Sequence, residues 1–313
     1  MSLLNYTVYR LAQGFITFLG AFLLIFLFVR LLPGDPARLI AGPEALEEDI
    51  QRIRAHLGLD RPLYEQFITY MASLLRGDLG TSIKYGTPVL EEILARLPYT
   101  LALAFVAEAL AVSVAVPLGV LAALKPRSLV SQLVSVLAVV GASLPVFWTG
   151  LMLIFIFSVE LRLLPSSGAE SPKHIILPSA TLAFFLVGNL ARITRAAVME
   201  SLSSNHVVTA RAKGLSFNKI LVRHVLRNSL IPILTVASVQ LGALLGGAVV
   251  TETVFAWPGI GSLLIDSLFF RDYPLAQGVI MFTVGAFILI NIVTDILYAL
   301  VDPRVREILW KAA

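Results

Sequence analysis

"VTARAKGLSFNKILVRHVLRNSLIP", residues 208–232, carries five lysines and arginines and no acid, and apolar runs lie on both sides of it. A basic stretch between greasy segments is what a loop between membrane spans looks like. The whole chain agrees: of its 313 residues 58% are hydrophobic and 14% charged, whereas a soluble domain carries about 25% charged residues. The sequence is that of an integral membrane protein, and an all-α one, because apolar runs of span length fold as helices. It has no cysteine, which excludes disulfides, thiolate metal sites and cysteine nucleophiles.

A span needs about 20 predominantly apolar residues. Six segments qualify: Leu11–Leu32, Leu97–Leu124, Leu129–Val159, Ile175–Ala191, Asn228–Thr251 and Tyr273–Thr294. The first is too long for a signal-peptide core and is expected to be retained. The third contains "SLPVFW" at 143–148, where Pro145 removes a backbone donor and predicts a kink or an unwound turn. Lysine and arginine in the short loops set the orientation. With the N-terminus inside, thirteen of them lie on the inner side and three on the outer, so both termini are expected to be cytoplasmic.

The long loop that starts at Pro33 has ten acids against seven bases up to Arg96. Its "EALEEDIQRIRAHLGL" and "PLYEQFITYMASLL" segments space apolar residues as helices do. The predicted organisation is therefore residues 1–32 as N-terminus and first span, 33–96 as a small extracytoplasmic helical insertion, and 97–313 as the membrane core, with a cytoplasmic loop at 195–228. The absence of an internal repeat argues against carriers built from inverted repeats.

Catalytic signatures are missing. There is no G-x-x-x-x-G-K-[ST], H-E-x-x-H or G-x-S-x-G, so the chain has no P-loop for a nucleotide. His56, His174, His206 and His224 are not spaced as metal ligands, and no metal, own cofactor or nucleic-acid partner is expected. Within the spans, Glu108 and the pair Asn291 and Asp295 stand out, since a charge near the bilayer centre has to face a partner or water. Each is a candidate for a pathway or an ion site. The alternative for Asp295 is a packing or capping group at the interface, and for Glu108 the two readings stay open. On Glu108 and Asp295 a self-sufficient ion-coupled carrier is the competing function.

The quoted stretch itself is predicted to break at Gly214. Asn205 or Ser204 caps a first helix, Arg211 and Lys213 occupy its last turn, and Gly214 takes the left-handed conformation that ends helices. From Ser216 a second, amphipathic helix follows, with Lys219, Arg223 and Arg227 four residues apart in one basic stripe. That stripe can also be read as a headgroup-facing surface that satisfies the positive-inside bias. The first helix is small and knobby around Val208, Thr209, Ala210 and Ala212, a shape suited to a groove on a partner.

"TARAKG" followed by "RHVLRNSLIP" resembles the cytoplasmic loop of ABC importer permeases of the dipeptide, oligopeptide, glutathione and nickel group. "LPGDPARLIAGPEA", "GDLGTS", "SLPVFW", "ETVFAWPGIG", "RDYPLAQG" and "LVDPRVR" extend the resemblance over nearly the whole chain. It implies the type I ABC importer permease fold in a prokaryotic inner membrane. It also implies a second permease, two cytoplasmic ATPase subunits that bind ATP and magnesium, and an extracytoplasmic solute-binding protein. By position, Thr209, Ala210, Arg211, Ala212, Lys213 and Gly214 would form the helix that couples to an ATPase. Val208 and Thr209 stand where the broad superfamily has Glu and Ala, and Asn205-His206 replaces an Asp-Tyr common there. Trp257 and Pro258, in the stretch from Thr251 to Pro274, are read either as part of an outer gate or as an interfacial hairpin.

Overall fold

Where no water is present, a chain satisfies its backbone groups most simply as helices, and long apolar runs without turn residues give long ones. The computed structural model describes residues 3–31, 36–42, 45–56 and 58–301. Fourteen α-helices follow one another among these residues, and the extended pairing there is an isolated bridge between Thr81 and Pro88.

Helix α1 (Leu3–Leu31) is followed by three short helices, α2 (Pro36–Ala41), α3 (Glu47–His56) and α4 (Leu63–Leu75). The bundle continues with α5 (Val89–Leu124), α6 (Leu129–Ser143), α7 (Val146–Leu153) and α8 (Ile176–Leu202). Next come α9 (Asn205–Ala212), α10 (Phe217–Ile220) and α11 (Arg227–Gly247), and then α12 (Val249–Val254), α13 (Ile260–Phe269) and α14 (Tyr273–Val301). Five helical segments are long and apolar enough to cross a membrane: Thr7–Leu27, Val89–Leu124, Pro172–Leu202, Phe217–Leu245 and Tyr273–Val293.

The third expected span is broken. Leu129–Gly141 and Val146–Glu160 meet at 108°, and the cause lies in Leu144-Pro145. Proline drives the residue before it out of the helical region, and Leu144 is extended at φ −80°, ψ 133°. Pro145 is itself extended and then starts α7, which runs on into a π-helical turn at Ile154–Glu160.

Two boundaries differ from expectation. The fourth span was expected to end at Ala191, but α8 continues to Leu202 because no glycine or proline interrupts residues 189–203. Arg192 and Arg195 are thus helical rather than part of a loop. The second basic helix is likewise not a separate element: Phe217–Leu245 forms one unit of 29 residues, with a π-helical turn at Leu221–Leu226 and Pro232 inside α11.

Small residues let the central helices approach closely. A side-chain carbon added at Gly119 of α5 would meet the Ala191 carbonyl at 2.6 Å, and one at Gly188 of α8 would meet the Leu137 carbonyl at 2.5 Å. Ala104, Ala107, Ala111, Ala115 and Ala122 line the same packed face of α5. Helix α1 lies against α14, with Gly14 beneath Ile288 and Ile292, and its Phe22 and Phe26 meet Phe67 of α4 edge-on.

Each end of this bundle has a further apolar cluster. One joins Leu79, Val89, Ile93, Ile260, Leu263, Leu275 and Val279 around α13. The other joins Ala123, Val198, Val207, Ala210, Ile220 and Val225 around α9.

Candidate functional site: the α9 knob and the Glu252 hub

Helix α9 is a short projection between two long helices. Ser204 occupies its N-cap with extended geometry, but its hydroxyl makes no cap bond and donates to the Ser201 carbonyl instead. At the other end Gly214 has φ +74°. Its N–H donates to the Arg211 carbonyl at 2.9 Å, and the Leu215 N–H reaches the Ala210 carbonyl at 3.3 Å. These paired bonds close the helix in the left-handed turn that the glycine predicted.

The helix has two unlike faces. Val207 and Ala210 are buried in the chain's own cluster with Ala123, Val198, Ile220 and Val225. Val208 is 60% exposed, and Thr209, Arg211, Ala212, Lys213 and Gly214 are exposed with it. Of the six residues expected to couple to a partner, five therefore face outward and Ala210 faces inward, where it seats the helix. Asn228 of α11 donates to His206 Nε2 at 2.9 Å and to the His224 carbonyl at 2.8 Å. Ser229 bonds the Val225 and Ala197 carbonyls. The knob is thereby tied to both long helices. Lys219, Arg223 and Arg227 are all exposed beside it, although the i→i+5 turn between them disturbs the regular stripe.

At the opposite end the organising group is Glu252, whose exposure is 0%. The Thr100 hydroxyl of α5 donates to its Oε1 at 2.7 Å, and the Ser262 N–H donates to its Oε2 at 3.0 Å. Thr100 Oγ1 in turn accepts the Ile260 N–H at 2.8 Å. Helix α13 begins at Gly259, which has no side chain to cap it. Glu252 reaches from α12 to do so, and a carboxylate there also complements the positive end of the helix dipole. The glycine is required: a side-chain carbon at Gly259 would lie 2.2 Å from Glu252 Oε1. Burial pushes the Glu252 carboxyl above its ordinary 4.5, against the lowering effect of the bonds from Thr100, Ser262 and Gly261.

Trp257 belongs to this hub. It is 5% exposed, its indole N–H donates to the Tyr99 carbonyl at 3.0 Å, and its ring meets Tyr99 edge-on. Pro258 is half-buried next to it. A tryptophan anchoring a hairpin in the headgroup layer would be exposed, so the interfacial-hairpin reading does not hold for Trp257. A second buried acid, Asp272, caps α14: its Oδ1 accepts the Leu275 N–H at 3.1 Å. Its Oδ2 accepts the Ser82 hydroxyl and the Lys84 N–H, which pins the loop before α5 to the α13–α14 corner.

Glu108 stands apart from both sites, about 12 Å along α5 from Thr100 at 1.5 Å per residue. It is 7% exposed, and neither carboxyl oxygen has a hydrogen-bond partner among the described residues. The Asp295 side chain lies outside the described residues. Among the described residues no three His, Asp or Glu side chains converge as metal ligands.

Sequence reasoning passed over Glu252, Thr100, Asp272 and Ser82. Their partners lie up to 190 residues away, and the one local sign was the glycine pair at 259 and 261, both pressed against Glu252.

Comparison with known proteins bears on both ends. Residues 115–307 match the family described as binding-protein-dependent transport system inner membrane component, and residues 3–104 match the N-terminal region described for such membrane components. The chain is 46% identical over 304 residues to the glutathione transport system permease protein GsiC of Escherichia coli O6:H1, covering 97% of this chain and 99% of that protein. It is 45% identical to the protein of the same name from E. coli K12 and 46% identical to that of Salmonella paratyphi A, with the same coverage. These matches overturn the alternative of a self-sufficient ion-coupled carrier built on Glu108 and Asp295, because the matched family works with a binding protein.

Proposed function

Because the chain belongs to the binding-protein-dependent transport system inner membrane component family, and is a membrane-spanning permease subunit of an ABC importer, we propose that it takes up glutathione or a similarly short peptide and couples to its motor through α9. The peptide class is inferred from the names of the relatives. In this reading a second permease completes the pathway, a solute-binding protein delivers from outside, and two ATPase subunits hold ATP and magnesium inside. Both termini face the cytoplasm. Residues 33–96 and the Glu252 hub lie on the outer side, where Trp257 and Pro258 help to form the gate.

The observation that carries the coupling role is the division of α9 into a face seated on its own chain and a face turned outward. Val207 and Ala210 hold the knob. Val208, Thr209, Arg211, Ala212 and Lys213, together with exposed Leu215 and Phe217, offer an apolar contact ringed by positive charge. A bound partner shifts an equilibrium only where it interacts differently with the two states. A knob tied by Asn228 and Ser229 to the ends of α8 and α11 would transmit such a difference to the spans.

The test uses a chain that has no cysteine of its own. A single cysteine at Thr209 or Ala212 in the assembled transporter is expected to crosslink to the nucleotide-hydrolysing subunit, with a yield that changes on ATP binding. Repeated failure of both positions to capture that subunit, in a complex that still transports, would reject α9 as the coupling element.

A further inference from the structure

Helix α8 is enclosed by α5, α6, α7 and α11, and most of its surface is buried. Beyond its first residue, α8 is exposed along one narrow strip, Phe185, Asn189, Arg192 and Ala196, which Met199 and Glu200 continue towards its end; the first four are spaced so that they share a helix face. Two of the four are polar and they touch, with Arg192 Nη2 donating to Asn189 Oδ1 at 3.2 Å. Among the described residues no carboxylate pairs with Arg192. At 1.5 Å per residue Arg192 lies about 24 Å from the start of α8 and about 15 Å from its end, on a helix long enough to cross the membrane. A guanidinium and an amide on a spanning helix do not face acyl chains at low cost; they turn towards water or protein.

We propose that Asn189 and Arg192 form an anion station on the water-filled passage of the transporter, past which the carboxylate of the solute moves. This rests on the permease reading and adds residues and a chemical class to it. Because Asn189 Oδ1 is engaged as an acceptor, its amide N–H groups and the remaining guanidinium N–H groups point to a ligand that only accepts. A carboxylate accepts on two oxygens and matches the planar fork of arginine. Every short peptide carries one at its C-terminus. The station is open, and the exposed acid that follows on α8, Glu200, lies about 12 Å farther along the helix at 1.5 Å per residue, so it attracts an anion without the enclosure that would trap it.

The experiment uses the complete transporter, with single cysteines at Phe185 or Ala196 so that Asn189 and Arg192 stay in place. A sulfonate-bearing methanethiosulfonate stands in for a carboxylate and is compared with its trimethylammonium counterpart; modification is read as the mass of this chain, and both rates are normalised to a free thiol. Both cysteines are expected to react, the sulfonate about tenfold faster, in the range that electrostatic focusing gives, and R192Q should remove that bias. A silent F185C thiol, alone or with a reactive A196C thiol, would place the strip against lipid or the second permease and overturn the proposal. So would a bias that survives R192Q.

S-methylglutathione, which has both carboxylates and no free thiol, is then added with binding protein and ATP. It is expected to slow modification of F185C where inorganic phosphate at equal concentration does not. Equal slowing by phosphate, or none by the peptide, would overturn the assignment to a transported carboxylate. Retention of the ATPase subunits on the same preparations reports separately on the coupling role of α9.

Discussion

Thr100 and Glu252, 152 residues apart in sequence, meet through a buried 2.7 Å hydrogen bond, and the same threonine oxygen accepts the Ile260 N–H. One hydroxyl thus joins α5, α12 and α13. T100V keeps the shape but leaves a buried amide and a carboxyl oxygen unpaired, each costing about 1–3 kcal/mol. Thermal unfolding in detergent should show a clear loss for T100V and a much smaller one for T100S. Equal stability of T100V and wild type would remove the hub from the account.

Glu252 also makes a statement about pH. Its carboxyl is raised above 4.5 by burial, so between 4.5 and the raised value the folded chain holds a proton that the unfolded chain has released. The stability contribution of this group is therefore present at low pH and is lost as pH rises through that window. E252Q, which stays neutral, should flatten this part of the stability profile. An E252Q profile parallel to wild type over the same range would show that Glu252 does not titrate there.

The two faces of α9 separate stability from docking. A210L overpacks the seat and should cost about 1–3 kcal/mol. A212L, on the exposed side, should stay within about 0.5 kcal/mol yet weaken retention of the ATPase subunits. Thermal unfolding and copurification, measured on both variants, distinguish the faces. If A212L also unfolded the chain, the outward assignment would be wrong.

G214A tests conformation without crowding. No atom lies within 4 Å of an added side-chain carbon, but φ is +74°, and a left-handed alanine costs about 1–2 kcal/mol. A small loss of stability is expected, accompanied by faster proteolysis at Lys213.

D272A removes the acceptor shared by Ser82, Lys84 and Leu275. Trypsin should then cut at Lys84 sooner, while cleavage near α9 keeps its wild-type rate. An unchanged rate at Lys84 would show that the loop holds itself in place.

How much of this was legible in the sequence follows from the range of the forces involved. Helix identity and the break at Pro145 are local, set by apolar run length and by the restriction that proline places on Leu144. The end of α8 was misjudged because Arg192 and Arg195 were read as loop charges, although nothing in their neighbourhood stops a helix. Gly214 was legible because one backbone angle requires it. The inward turn of Ala210 was not: Val207, Val208, Ala210 and Ala212 are alike in chemistry, and the packing of α5 and α8 decides which of them is covered. Glu252 was invisible as a hub because its partners converge only after α5 has folded beside α13.

The unbroken run from Phe217 to Leu245 has a mechanical consequence. As a rod of 29 residues it measures about 43 Å at 1.5 Å per residue, so a tilt of about 10° at one tip would displace the other by about 7 Å. The wide turn at Leu221–Leu226 sits close to the α9 tip, where a hinge would spend least of that lever's length. Stiffening the turn, rather than altering any group that touches solute, would be the way to shorten the throw.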